Sequence, residues 1–371
     1  MMRIEMKGLA AGRDGQAWRG RARRRLTDLA LSLSAAAASF AVHAVHLRIV
    51  GGLADVHQYT RHEEPFWSLE LAQLSGGRHS AEIVPFDRAG IRGQEVLSLI
   101  KLGVVPFGTV LLNLSSAVEP EVGAADLAGM NPDVDAMRRS LDALRPHLED
   151  MLRRRHGIEV LAAYVYPAQV TFCQVPITSF ADLAGKRVRT ANVGLSDLMR
   201  GLGATPVNTP FAEVLQSLRS GRIDCAVTGT MSGFTIGLPA VATHLHPLPL
   251  GWGVAIFAAN GEAWQALPAD LRELLRRELP RVERAVWAEA KAETAEGIAC
   301  NVGTAGCQAA RKGRMQLVPV TDADRALVRR LFTEHVLPRW IQRCGATCVD
   351  LWNQALEPVT HIRAVPRPGA R

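Results

Sequence analysis

The sequence predicts an α/β fold built of two domains. Three observations carry that expectation. Short apolar runs alternate with helical periodicities along most of the chain, the pattern of helices layered on a sheet. A chain of 371 residues is long enough for two separate cores. Between the two groups of elements, Tyr166-Pro167-Ala168-Gln169 reads as a connection.

The elements of the first domain follow in order. Leu47 to Val50 reads as a strand before Gly51-Gly52. Glu63 to Leu74 reads as a helix with Phe66, Leu69 and Leu74 toward the core, stopped by Gly76-Gly77. Ala81 to Pro85 is a strand, and Gly93 to Leu102 a helix carrying Val96, Leu97 and Ile100. Asp133 to His156 places Met137, Leu141, Leu144, Leu148 and Met151 at alternating four- and three-residue spacings, which is helical periodicity. Pro146 is expected to divide it into two helices, because an interior proline loses a hydrogen bond and clashes with the preceding turn. Ile158 to Tyr164 is an apolar strand.

In the second domain, Ser179 and Asp182 form a capping-box pattern, and Gly185 ends the turn. Lys186 to Thr190 is a strand. Thr209 reads as a cap with Pro210 at the first helical position. Phe211 to Leu218 then presents Phe211, Val214, Leu215 and Leu218 on one face, and Ile223 to Val227 is the next strand. Trp252 to Ala258 is a strand, after which Asn260 caps a helix. Ala269 to Ile298 is one long helix, kinked at Pro280. A strand at Met315 to Val320 precedes helices over Asp322–Val336 and Pro338–Leu356, and residues 362–371 read as a disordered tail.

The formal net charge of +7 raises the question of a nucleic-acid partner. Its distribution argues against one. Residues 1–44 hold eight Arg/Lys and three acids, leaving 35 bases against 33 acids in the rest. That leader has the layout of an export signal: a basic stretch from Arg19 to Arg25, an apolar one from Leu26 to Val42, and Val42-His43-Ala44 before a cleavage point. As a membrane anchor it is short and rich in Ala and Ser.

Export makes disulfides feasible, and six cysteines all follow the leader. Cys300–Cys307 and Cys344–Cys348 would close short local loops, which leaves Cys173 and Cys225, both in expected strands, as a third pair. Zinc ligation is the rival, but the cysteines lack CxxC or finger spacing.

No phosphate loop, HExxH, EF-hand or GxSxG motif occurs, so no catalytic apparatus, metal or cofactor is expected. His244 and His246 fall in an expected loop as a solvated pair. Arg189 is different. It ends a strand, and in open parallel sheets ligands sit beyond the carboxyl ends of strands. A guanidinium there offers a planar fork that fits a carboxylate. The rival for that role is Arg187, two residues away on the same face; the residues alone leave open which of the two is the exposed one. Tyr166 and Gln169 adjoin the crossover and Trp252 is an apolar candidate for the same pocket, although each also suits plain packing.

Phe180-Ala-Asp-Leu-Ala-Gly-Lys-Arg-Val-Arg189, Leu202-Gly-Ala-Thr-Pro206, Phe211-Ala-Glu-Val214 and Leu218-Arg-Ser-Gly-Arg-Ile-Asp224 occur in that order. With Ser75-Gly-Gly-Arg78, Ile83-Val-Pro85 and Trp264-Gln-Ala-Leu-Pro268, they make the mature chain resemble the extracytoplasmic solute receptors of tripartite ATP-independent periplasmic (TRAP) transporters, the dicarboxylate-receptor-like (DctP) family. The resemblance implies a two-domain periplasmic-binding-protein-like (type II) fold with a hinge and an interdomain ligand cleft. It implies a periplasmic receptor, expected to be a monomer, that closes on a small organic acid and delivers it to TRAP permease subunits without catalysis. Arg189 would anchor the carboxylate, with Asn192 and Thr228 as further polar positions. Many relatives carry a second arginine where this chain has Val175, which points to a single carboxylate. The expected division is a signal peptide over 1–44, one lobe over 45–168 plus about 252–285, and another over 169–251 plus about 286–361. A sensory receptor coupled to a membrane partner, or an exported enzyme on a similar scaffold, are the alternative functions.

Overall fold

The computed structural model describes residues 44–366. The expected leader, apart from Ala44, and the chain end beyond 366 lie outside the described residues. In chain order the strands are β1 (Val45–Gly51), β2 (His79–Pro85), β3 (Phe107–Leu111), β4 (Ile158–Val165), β5 (Gln169–Cys173), β6 (Arg187–Thr190), β7 (Thr205–Asn208), β8 (Cys225–Gly229), β9 (His244–Gly251), β10 (Val254–Asn260) and β11 (Gln316–Leu317). They form two sheets, ordered β2-β1-β3-β10-β4 and β11-β9-β5-β8-β6-β7. No helix among the described residues is long and apolar enough to cross a membrane.

In the first sheet β1 pairs in parallel with β2 and β3, while β10 runs antiparallel between β3 and β4. The central strands β3 and β10 are buried almost throughout, which explains their near-continuous apolar sequences. The helix before β2 starts earlier than the periodicity indicates. It covers 58–74, and two of its stretches, Gln58–Glu63 and Phe66–Glu70, use the wider i→i+5 hydrogen bonding. This rotates the buried face: Phe66, Trp67 and Leu71 enter the core, while Leu69 and Leu74, expected inside, are exposed. The helix Val134–His156 is also continuous through Pro146, not divided. Asp133 caps it by accepting from Ala136 N at 2.7 Å, and its stripe of Met137, Leu141, Leu144, Leu148 and Met151 is buried end to end. One lost hydrogen bond does not outweigh that burial, worth ~1.5–3 kcal/mol per large side chain.

In the second sheet β6 is parallel to β7 and β8, and β5 runs antiparallel to both β8 and β9. The capping box at Ser179 forms as expected. At the helix start after β7 the cap position is taken by Pro210, and Thr209 instead bonds Val207 O through its hydroxyl. His244 and His246 stand on β9, not in a loop, and His246 is fully buried against Asp324. Disulfides join Cys173–Cys225, Cys300–Cys307 and Cys344–Cys348. The first links directly paired residues of β5 and β8.

Two adjacent crossovers connect the sheets. Residues 166–168 lead from β4 to β5, and Trp252-Gly253 leads back from β9 to β10. Tyr166 N donates to Trp252 O at 3.1 Å, and Asp126 clasps the return by accepting from Trp252 N and from Gly253 N at 2.7 Å. The helix Ala269–Val302 runs beside both: Trp287 Nε1 donates to Ala163 O in the first sheet's β4, Ala168 N donates to Thr294 Oγ1, and Asn301 Nδ2 donates to Thr230 O beyond β8. The C-terminal segment also touches both halves. The helix Asp322–Leu331 packs on β9, whereas Trp340 Nε1 donates to Pro120 O near the first sheet. The start of the expected disordered tail is held in place: Trp352 Nε1 donates to Ile362 O, and Ala364 is buried.

Two expectations follow. Removing the Cys173–Cys225 bridge, which spans 52 residues, with a Cys173→Ala/Cys225→Ala variant should lower unfolding stability by up to about 4 kcal/mol in urea titration. Burial pushes the Asp126 carboxyl up to about 6 against the pull of its backbone donors. The folded state therefore holds this proton more tightly than the unfolded chain, whose carboxyl titrates near its ordinary value. The stability it lends is full below that ordinary value and is lost as pH rises toward 6. Subtracting the stability of Asp126→Asn from wild type across pH 3.5–7 should expose that descending limb.

Candidate functional site

Strand ends from both sheets converge on one cavity of ≈ 390 Å³. From the first sheet come Leu53 after β1, Phe86 and Asp87 after β2, and Leu111 and Asn113 at the end of β3. From the second come Arg189 on β6, Asn208 at the end of β7, Thr228 on β8 and Gln169 at the start of β5. Because β6, β7 and β8 are mutually parallel, their carboxyl ends all open on the same side. A wider recess of ≈ 770 Å³ at the rim shares Phe211 and Ala212 with this cavity but contains no buried cation.

Arg189 dominates the electrostatics. Only 3% of it is exposed. Its Nε donates to Thr209 O at 2.9 Å and its Nη1 to Val227 O at 2.8 Å. Nη2 has no protein partner, and no carboxylate pairs with the guanidinium among the described residues. Burial pushes the group down to about 10, so it remains charged at neutral pH. A buried cation whose only partners are carbonyl dipoles is costly unless an anion arrives to complete it. Arg187, two residues earlier, has the opposite character: it is half-exposed and paired with Asp224, Nη2 to Oδ1 at 2.6 Å.

The other walls are mostly apolar, with Phe86, Ile91, Leu114 and Phe211 facing the space. Two buried polar atoms of these walls have no hydrogen-bond partner among the described residues, the Tyr166 hydroxyl and Asn113 Oδ1. They offer a donor or acceptor and an acceptor respectively. The charged groups at the rim are unsuited to a second carboxylate. Arg92 is exposed and bound to Glu95, its Nε donating at 2.9 Å, and Asp87 accepts from Ala54 N.

Of the residues singled out from sequence, Arg189, Thr228, Gln169 and Tyr166 meet in this cavity. Asn192 and Trp252 do not. Asn192 caps the helix Val193–Leu202, its Oδ1 accepting from Leu195 N at 2.9 Å. Trp252 is packed in the core with Nε1 donating to Asn131 O. Val175 lies past Cys173, whereas Gln169 at the other end of β5 is the residue in the cavity, so Val175 does not oppose Arg189. Phe86, Asn113 and Asn208 escaped the sequence reading. Asn208 was accessible in principle, since it ends the strand after Gly203; Asn113 follows β3, a strand the sequence reading did not identify.

Comparison with known proteins gives a consistent picture. The family model of DctP, bacterial extracellular solute-binding protein family 7, matches residues 57–335. The ectoine-binding periplasmic protein TeaA of Halomonas elongata is 24% identical over 202 residues, covering 53% of this chain and 59% of that protein. The C4-dicarboxylate-binding periplasmic protein DctP of Rhodobacter capsulatus is 27% identical over 285 residues, 76% of this chain and 82% of that one. Among solved structures, an extracytoplasmic solute receptor of Bordetella pertussis binding pyroglutamic acid superposes with a TM-score of 0.73 at 20% identity, covering 84% of this chain and 99% of the other.

The unpaired guanidinium should carry a stability cost. Arg189→Met, which keeps the volume and removes the buried charge, should raise the unfolding midpoint of the ligand-free protein by ~1–4 kcal/mol equivalent. Calorimetric scanning of the two dialysed proteins checks this; a lowered midpoint would mean the charge is already compensated.

Proposed function

The chain belongs to bacterial extracellular solute-binding protein family 7, and from that premise we propose that it captures a small organic acid in the Arg189 cavity and delivers it to a membrane permease. The observation that carries this reading is the buried guanidinium with an uncommitted Nη2 facing an enclosed space. The acid's carboxylate docks on Nη2 as a charge-assisted hydrogen bond, which is roughly twice as strong as a neutral one. The protein needs no chemistry for this. It needs only a site that is complete when the anion is present.

The ligand is a compact monocarboxylate. Among the described residues, Arg189 is the one uncommitted cation lining the cavity, which supports that assignment, since Arg92 is committed to Glu95 and Asp87 would repel a second carboxylate. Apolar walls fit a carbon skeleton, and Asn113 Oδ1 awaits an N–H or O–H donor on it. The Bordetella pertussis receptor's pyroglutamic acid, with one carboxylate and one lactam N–H, is an example of this chemical type.

Capture proceeds by closure. One lobe is 45–168 with about 252–285, the other 169–251 with about 286–361, and Tyr166–Ala168 and Trp252-Gly253 form the hinge. The acid touches both lobes only when they are together, so its binding energy favours the closed form. The closed form then docks on TRAP permease subunits as a monomer. The leader over 1–44 directs export, and the receptor works in the periplasm.

Mass spectrometry of small molecules released from the purified protein should find a monocarboxylic acid. Arg189→Lys, which loses the planar fork, should bind that acid at least ~30-fold more weakly by titration calorimetry, on the order of 2 kcal/mol or more. Equal affinity for the two proteins would remove the anchor from the account.

A further inference from the structure

A second constellation lies outside the Arg189 cavity, where the helix 58–74 meets the helix Ala269–Val302. His57 and His62 stand five residues apart on a stretch with i→i+5 hydrogen bonding, which brings them to one face. Glu289 and Glu293 stand four apart on the facing helix. His57 Nδ1 meets Glu293 Oε1, and His62 Nε2 meets Glu289 Oε2. Ligand atoms of His57, Glu289 and Glu293 all lie within 4.8 Å of one another.

Among the described residues, an arginine reaches only one of the two carboxylates. Arg61 Nη1 reaches Glu289 Oε1 at 2.6 Å, which offsets one carboxylate. Glu293 is nearly fully buried, and among the described residues no lysine or arginine reaches it. Its other side-chain partner among the described residues is Gln58 Nε2 at 3.3 Å. Gln58 is itself buried, and its Oε1 has no donor. A carboxylate buried this deeply with no lysine or arginine beside it is a place where a bound cation is favoured.

We propose that His57, Glu289 and Glu293 bind a divalent transition ion of the zinc class, with His62 orienting Glu289. Mixed imidazole and carboxylate ligands suit zinc at ~2.0–2.2 Å, and three protein ligands leave one position for water. The ion ties the N-terminal helix to the long helix beside the crossovers, since Glu293 O also accepts from Thr230 Oγ1 at 3.1 Å. The loop before His57 carries Asp55, whose carbonyl accepts from Thr235 Oγ1 across the rim of the cleft. This metal site is independent of the acid cavity and stands whether or not the acid is identified.

The experiment is titration of chelator-treated protein with zinc chloride by calorimetry and with cobalt chloride by visible absorption. One ion per chain is expected, with a raised unfolding midpoint. Glu293→Gln and His57→Asn should each weaken binding roughly 100-fold. His57 is part-exposed, so its variant serves if Glu293→Gln does not fold. Arg61→Ala should bind the ion at least as tightly as wild type, because a competing cation leaves Glu289. Failure to bind one equivalent, or binding unchanged in His57→Asn, would overturn the proposal and leave the four side chains as direct ion pairs.

Discussion

A nearly buried positive charge without a negative partner among the described residues is the constraint on which this structure turns. Arg189 is held by two main-chain carbonyls, Thr209 O and Val227 O, which aim the guanidinium without neutralising it. Carbonyl dipoles recover only part of the hydration that a buried ion loses. The protein therefore keeps an unfavourable term in its resting state. In the capture proposed above, an arriving anion would relieve that term, and affinity would draw on the relief as well as on the new contact.

The surrounding architecture makes such a charge tolerable and useful. Both sheets send strand ends to the same cavity, so the enclosing walls come from two halves of the molecule. Among the described residues, only 166–168 and 252–253 connect the sheets directly, and Asp126 and Tyr166 bind these passages together. The long helix and the C-terminal helices lie along both halves. In the reading proposed above, these two narrow connections are the hinge about which the halves close.

Much of this was legible in the sequence because it follows from local patterns. The carboxyl-end rule for parallel strands pointed to the end of the LAGKRVR strand but left Arg187 and Arg189 open, and the family resemblance favoured Arg189. Tyr166-Pro167-Ala168-Gln169 marked the crossover through its break in periodicity. What was hidden depends on tertiary context. β9 carries Pro247 and Pro249, which argue against a strand; they fit because β11 pairs only at His244 and Leu245, leaving the later edge open. The helix 58–74 turned Leu69 outward through a wider hydrogen-bonding register that no 3.6-residue pattern encodes. Asn192 and Trp252 had the right chemistry for a site but were used as a cap and as packing. A residue's type and spacing show what it is able to do; which neighbour claims it is settled by the fold.

A crystal structure of the protein with its co-purified acid tests the central claim most directly. The account predicts a carboxylate oxygen about 2.7–2.9 Å from Arg189 Nη2, with the Thr209 and Val227 carbonyl bonds retained. An acid bound elsewhere, with Nη2 still lacking an anionic partner, would contradict it.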